Sequence, residues 1–529
     1  MTFIAALELR HVQGYVFSTN RLLDIVGRSA TLAGFTDPNG DTLKGLLEMP
    51  GRSQLGYGAA SVVVKTDTEA DAKAFLAALS RKVRDSADSA HIVTAIVDET
   101  TGGATPATVA AALLKARAWH EAAHLPTPSF GFTADCAVSG LPATEVTSDD
   151  LPRGREILSA EVIVARDRGR TWHDTQEKEL LDGAPAPNGV TWKLPLELDD
   201  IADTKGDFSQ LAVMHLDING LGATLQEYLA EVDRDPFEAA RDAGAAIASV
   251  MRTLARHLIH TVTGAAAKDE DGRIWVTGFP EQLQFPVMAV KGSTAEQDAS
   301  KNGEFYVPLR PIITAGDEMT LVCDARLAWS LAQAAIRWWD EPIGSPPNND
   351  PRRALFDQAP RFQRRFPDRL GLTFSIGIAM FRAGSPLTVA YERAAALTKT
   401  AKEVRRRGSH CVAWSLETRT PEATVSDILD RREKNLTIQP CDPDHLFVLL
   451  DDALGENGMR SPAQARNKIK ALTRTSALLA RRSANGRGAN DDMYLAALQR
   501  DARPLLDIHL ALGATATGAA TEHDPGDAL

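Results

Sequence analysis

The chain has 529 residues, 44% of them hydrophobic and 24% charged, and a net charge of −12. That length suits about three or four domains of roughly 150 residues each, and the balance is that of an ordinary globular protein. The acidic surplus argues against a basic coat for nucleic acid over the whole surface, but not against a local basic groove. No apolar run approaches the roughly 18 residues that cross a bilayer, so no membrane partner is expected. The first ten residues carry Glu8 behind a short apolar stretch and have no basic leader, unlike a signal peptide. Cys136, Cys323, Cys411 and Cys441 stand far apart with no CxxC. This excludes an evident zinc ribbon and points to reduced thiols in the cytoplasm.

In chain order, residues 2–9 read as a strand and 20–33 as a helix. Leu55-Gly56-Tyr57-Gly58 marks a tight hairpin before a β-branched strand at 59–65. Residues 69–83 carry helical spacing through Ala72, Phe75, Leu76, Leu79 and Val83. A strand at 91–97 and a helix at 108–120 complete an α+β unit. Residues 141–206 read as a connector with a Pro/Gly loop at 183–189. A second unit begins at 210 with an apolar strand at 211–218 and a long helix, best at 237–262. A polar insertion with a short hairpin follows at 268–303. Strands are expected at 305–313 and 319–323, a helix at 325–338, a Pro/Asn loop at 345–350 and a strand at 372–380. A helix opening at Pro386 and a strand at 411–414 follow. The order is βαββαβ, the split-βαβ ferredoxin-like arrangement. From about residue 427 the chain reads as mainly helical, and its Ala/Thr/Gly-rich end is expected to be disordered. The two α/β units have the makings of distant copies.

The chemistry concentrates at Asp217, Asp317 and Glu318. Asp217 ends the first strand of the second unit. Asp317 and Glu318 follow Gly316 between two apolar strands, where glycine supplies the positive φ of a tight hairpin. In a ferredoxin-like sheet the first strand lies beside that hairpin, so the three carboxylates are expected to converge. Hard ions such as Mg²⁺ take a few carboxylate oxygens plus substrate phosphates, and such ions activate a hydroxyl for phosphoryl transfer. Alone, Gly-Asp-Glu is an ordinary polar turn. Asp217 and the strand order favour the metal site. Lys399, Lys402 and Arg406 share one helix face at spacings of three and four, suited to a triphosphate or to solvent.

These residues resemble a known family. Asp217-Ile218-Asn219-Gly220-Leu221, the stretch from Pro308 to Glu318, Leu372-Thr373-Phe374-Ser375-Ile376-Gly377-Ile378-Ala379 and Ala401-Lys402 look like the palm domain of the large polymerase-like subunit of type III CRISPR effector complexes. More distantly they are similar to GGDEF nucleotide cyclases. Val12-Gln13-Gly14-Tyr15-Val16-Phe17 and Gly27-Arg28-Ser29 look like that subunit's first palm, and Asp135-Cys136 to Ala143 like its inter-palm segment. The resemblance implies an α+β fold of two ferredoxin-like palm domains followed by a mainly helical C-terminal region. The implied division is 1–140 for a degenerate first palm, 141–209 for a connector, 210–420 for the second palm, 421–512 for the helical region and 513–529 for the tail.

The family's activity is Mg²⁺- or Mn²⁺-dependent joining of ATP, or GTP, into cyclic or oligomeric messengers of antiviral defence. Its GGDD pattern matches here as Ala315-Gly316-Asp317-Glu318, with Ala in place of the first Gly. The implied catalytic acids are Asp217, Asp317 and Glu318. The implied metal set is Asp217, Ile218 and Asp317. Asn219, Gly316, Ser375, Lys402 and Arg406 are the expected nucleotide-binding residues. The family's HD nuclease domain is expected to be absent, because palm-like sequence begins at residue 1. His173-Asp174 lacks the spaced partners of a metal site, and His523-Asp524 in the tail is weaker still. Eight basic residues (Arg460, Arg466, Lys468, Lys470, Arg474, Arg481, Arg482 and Arg487) with no acid among them offer a contact for RNA or an acidic protein. They lack aromatic residues for stacking bases. The alternative to an enzyme is a catalytically weak palm scaffold binding nucleotide or RNA within an effector complex. A template-directed polymerase is disfavoured, since no thumb or fingers domain is evident. The oligomeric state is left open.

Overall fold

The structure is a computed structural model that describes residues 2–416, apart from 38–39, 59, 102, 124–132, 148–154, 203–209, 278–283, 292, 294–302, 345–349, 359–370 and 405–408. Arg406, Cys441, most of the 345–350 loop, the helical region at 421–512 with its basic residues, and the tail with His523-Asp524 lie outside the described residues. The described chain is mixed α/β with several sheets.

The first unit is built on β1 (Phe3–Arg10), with short α1 (Val12–Val16), α2 (Leu22–Thr36) and α3 (Asp41–Leu47) after it. Strands β2 (Arg52–Gly58) and β3 (Ser61–Thr66) form a hairpin. The Leu55–Gly58 stretch, expected as the turn, is part of β2. A register shift between Gln54 and Gly56 makes a bulge there, and an edge strand tolerates glycine at a bulge. Helix α4 (Glu69–Ser86) starts at Thr68, whose side chain accepts the Asp71 N–H at 3.1 Å. Its buried residues are Ala72, Phe75, Leu76, Leu79 and Val83, as the spacing predicts. Strand β4 (His91–Asp98) and α5 (Pro106–Ala123) close the unit. The sheet order is β2-β3-β1-β4, every pair antiparallel.

The segment read as a connector is ordered over much of its length. It carries the hairpin β5 (Glu145–Thr147) and β6 (Glu156–Leu158), the 22-residue α6 (Ala160–Leu181) and β7 (Val190–Lys193). Helix α6 lies against α2 at backbone contact. A Cβ on Gly27 would stand 1.7 Å from the Ala165 carbonyl oxygen, and one on Gly169 2.7 Å from that of Leu23. Buried ion pairs flank this contact: Arg28 with Glu161 at 2.9 Å, and Arg166 with Asp24 at 2.8 Å and Glu156 at 2.7 Å. Small residues and paired charges leave no apolar stripe, so hydropathy does not announce this helix.

The second unit starts with β8 (Gln210–Asn219), α7 (Leu221–Glu231) and the long α8 (Pro236–Gly264), which Asp235 caps by accepting the Phe237 and Glu238 N–H groups. The insertion holds a meander of β9 (Ala266–Lys268), β10 (Ile274–Thr277) and β11 (Gln284–Pro286). The strand expected at 305–313 is two strands. Strand β12 (Gly303–Tyr306) pairs in parallel with β7, and β13 (Leu309–Ala315) joins the main sheet. Pro308, without an N–H, stands between them. Then come β14 (Glu318–Asp324), α9 (Ala328–Asp340), α10 (Pro351–Gln358), β15 (Thr373–Arg382), α11 (Leu387–Val404) and β16 (Cys411–Leu416). The sheet order is β13-β14-β8-β15-β16, antiparallel except for the last pair. Its first four strands repeat the order and sense of the first unit. One face packs on α8 and α9, and the other shares a continuous core with the first unit through Phe17, Leu22, Val213, Ile312 and Tyr391. Cys136, Cys323 and Cys411 are buried thiols outside any disulfide. Among the described residues no helix is long and apolar enough to cross a membrane.

Candidate active site

Strand β8 changes character along its length. Ala212, Met214, Leu216 and Ile218 all enter the core beneath α8. On the opposite face Leu211 and Val213 are core residues, whereas His215, Asp217 and Asn219 are polar. The neighbouring strands match that switch. Asp217 stands opposite Glu318 on β14 and Ser375 on β15, and His215 opposite Thr320 and Gly377. Directly opposed residues hold their Cβ atoms about 4.5–5.5 Å apart, so a polar patch forms on this face of the sheet.

The hairpin between β13 and β14 has a two-residue loop, Gly316-Asp317, closed by the pair Ala315 and Glu318. Gly316 has φ 63°, the positive value that the first position of such a turn demands and glycine meets without strain. The tip is tied to β8 by the Ile218 N–H, which donates to the Asp317 carbonyl at 3.2 Å. The Ile218 side chain is buried in the core, so only its main chain reaches the site.

Lys402, near the end of α11, places Nζ 2.6 Å from Asp217 Oδ1. The reach depends on Gly377, where a Cβ would lie 2.1 Å from the Ala394 carbonyl oxygen. Helix α11 therefore lies directly on β15. Asn219 and Ser375 are buried and bonded to each other, Ser375 Oγ donating to Asn219 Oδ1 at 2.8 Å, while Asn219 Nδ2 donates to Thr373 Oγ1 at 3.1 Å. They form a polar support for the strand ends.

Three contributors escaped the sequence reading. Gln13 of α1 crosses from the first unit and donates to Glu318 Oε2 at 2.9 Å. His215 lies behind Asp217, bonded through Nδ1 to Thr320 Oγ1 at 2.8 Å, and burial pushes its pKa down to about 4, so the ring is neutral at pH 7. Tyr391 stacks on Phe17 with ring centroids 4.0 Å apart. Gln13 and Phe17 belong to one short motif, Val12 to Phe17, and that clustering was the available signal.

Burial raises the Asp217 carboxyl above its ordinary range; Lys402 pulls it down, while Asp317 and Glu318 push it further up. Burial likewise raises Glu318, against the Gln13 hydrogen bond and with Asp317. Among the described residues, three carboxylates thus neighbour one ammonium. Among the described residues, no three or more His, Cys, Asp or Glu side chains gather into a ready-made metal cage. The acids are neighbours, with Glu318 engaged by Gln13. This narrows the expectation that all three converge. The oxygen donors and surplus negative charge fit a hard divalent ion, and Mg²⁺ is commonly held by one or two carboxylates with substrate phosphates completing its shell.

A cavity of about 570 Å³ opens beside the hairpin tip. Its walls come from both units and from α6, and include Ser29, Trp172, Leu225, Arg252, Thr314 and Asp317. His173, also on α6, is committed to Arg310, with Nδ1 3.1 Å from Nη1.

No protein-family model matches the chain, and no curated protein matches it in sequence. In structure it is similar to Csm1, the large subunit of type III CRISPR complexes. The Csm1-Csm4 cassette in complex with cA4 matches with a TM-score of 0.47 and 13% identity, over 96% of this chain and 69% of that one. Csm1 in T. onnurineus matches with a TM-score of 0.45 and 14% identity, over 96% and 69%. The Csm1-Csm4 cassette in complex with one ATP matches with a TM-score of 0.46 and 11% identity, over 96% and 70%.

Proposed function

We propose that the chain is a nucleotidyltransferase or nucleotide cyclase that joins ATP, or GTP, into cyclic or oligomeric products, with two ferredoxin-like palm units forming the site. The observation that carries this reading is the placement of Asp217, Asp317 and Glu318 at adjoining strand ends, with Asp317 at the rim of a cavity walled by both units. The shared strand order of the two sheets supports the ferredoxin-like reading.

In this reading Asp217 and Asp317 hold Mg²⁺ or Mn²⁺. Bound there, the ion supplies activation of a ribose 3′-hydroxyl and neutralisation of phosphate charge. The hydroxyl oxygen forms a bond to the α-phosphorus of a nucleoside triphosphate as the bond to pyrophosphate breaks. The cavity bordered by Asp317 receives part of the nucleotide, with the triphosphate extending toward Asp217. Gln13 holds Glu318 in position, and Asn219 with Ser375 fixes the strand ends. Lys402 is within reach of a triphosphate placed over Asp217. Purified protein incubated with ATP, GTP and Mn²⁺ should release pyrophosphate and yield linked nucleotides by chromatography. A protein that binds nucleotide but forms no new phosphodiester would be a scaffold instead.

A further inference from the structure

The first unit contains a second version of the Asp217 environment. Glu8 of β1 stands opposite Ser61 and Val93, the places that Glu318 and Ser375 hold opposite Asp217. The Leu9 N–H donates to the Ala60 carbonyl at 2.7 Å, as the Ile218 N–H does to Asp317. The helix that follows the fourth strand again supplies a cation: Arg117 of α5 for Glu8, Lys402 of α11 for Asp217.

The two cations differ in chemistry. Arg117 grips both Glu8 oxygens, Nε on one at 3.0 Å and Nη2 on the other. A planar guanidinium fitted in this way is geometrically locked. Around Glu8 the hairpin offers no further acid, since Ala60 and Ser61 stand where Asp317 and Glu318 stand in the second unit. Lys402 meets Asp217 through a single contact to Oδ1, and its side chain is 40% exposed. An ammonium is a point charge on a flexible stem, free to trade one oxygen for another. Among the described residues, Asp317 and Glu318 stand beside this pair as further acids.

We propose that Lys402 is an exchangeable counter-ion: it yields Asp217 Oδ1 to a divalent cation and transfers its own charge to the phosphates of the incoming nucleotide, whereas Arg117 is the fixed counterpart that keeps Glu8 closed to metal. This rests on the reading of Asp217 as a metal ligand. One residue then opposes metal binding alone and assists nucleotide binding, so the ion and the triphosphate enter together.

Calorimetry on the full chain tests this with Mn²⁺ alone and with a non-hydrolysable ATP analogue alone. Lys402→Met removes the competing charge and should tighten Mn²⁺ binding about ten-fold, the size of effect a neighbouring charge has on a carboxylate. The same variant should weaken the ATP analogue by about ten-fold or more. Lys402→Arg imitates the first unit and should weaken Mn²⁺ relative to the wild type. Arg117→Met should leave Mn²⁺ binding at the second unit unchanged. Opposite signs for ion and nucleotide in Lys402→Met support exchange, because a helix acting only as a structural prop would weaken both. If Asp217→Asn abolishes Mn²⁺ binding while Lys402→Met leaves it equal or weaker, exchange is overturned and the metal site stands. If Asp217→Asn binds Mn²⁺ as the wild type does, Asp217 is not a ligand and both ideas fall.

Discussion

Among single residues, Asp317 and Gln13 separate chemistry from support. Asp317 sits at the tip of a hairpin whose turn is made by Gly316, and it borders the cavity. Asp317→Asn should leave the fold intact, since a polar tip residue contributes little to stability. Losing a metal ligand should remove several kcal/mol of transition-state stabilisation, a fall in product formation of about a thousand-fold. Unchanged turnover in a variant with wild-type circular dichroism would count decisively against this site. Gln13→Ala tests the reach of the first unit into the second. Its hydrogen bond to the Glu318 carboxylate contributes roughly 1.5–3 kcal/mol, so turnover should drop by about ten-fold or more with little change in melting temperature. Equal loss of activity and stability would make Gln13 a packing residue only.

At the level of elements, two glycines set how closely helices approach, and through that where functional groups stand. Gly377 lets α11 rest on β15, which carries Lys402 to Asp217. Gly27 lets α2 and α6 meet at backbone distance, and α2 in turn supports β13, where Ser29 Oγ donates to the Ile312 carbonyl at 3.0 Å. Gly27→Ala must push apart two helices locked by buried ion pairs, an overpacking that costs about 1–3 kcal/mol or more. Gly14, in contrast, has open space around its Cβ position. Gly14→Ala should be neutral or stabilise by about 0.5–1 kcal/mol, as helix propensity dictates. Chemical denaturation of the two variants gives the comparison, and similar midpoints would refute the close-approach account.

Over the whole molecule, charge ties the parts together. Glu156 of β6 receives Arg21 from the N-terminal unit and Arg166 from α6, and both hold its carboxyl below the ordinary range. A carboxylate depressed in the folded state contributes stability that is present above its unfolded pKa and lost as pH falls through the folded one. The wild type should therefore be more stable than Glu156→Gln at neutral pH. That advantage should shrink as the pH drops from about 5 toward about 3, below the ordinary glutamate range. Melting temperatures of both proteins across that window provide the check, and a constant difference would mean Glu156 acts by packing. The same network explains why residues 155–181 are integral to the fold: they bridge α2 of one unit and, through Gln176 and His173 on Arg310, β13 of the other.

What could be read directly from the chain followed local periodicity. The apolar run at 211–218 marks a short buried strand, and the spacing of Ala72 to Val83 places a helix because side chains return to one face about every 3.6 residues. Gly316 marked the hairpin because a positive φ is a local steric demand. Asp217, Asp317 and Glu318 could be paired in advance because strand order makes their strands neighbours. Helix α6 was hidden, since glycines and buried ion pairs carry no hydropathic rhythm. Lys402 was expected to serve phosphate apart from the acids, and only the depth at which α11 settles on Gly377 brings it onto Asp217. The contact of Gln13 with Glu318 spans 305 residues, and the cavity draws on both units and α6. Such features depend on how separate elements dock, which is decided by close packing of surfaces from distant parts of the chain and leaves no local pattern to read.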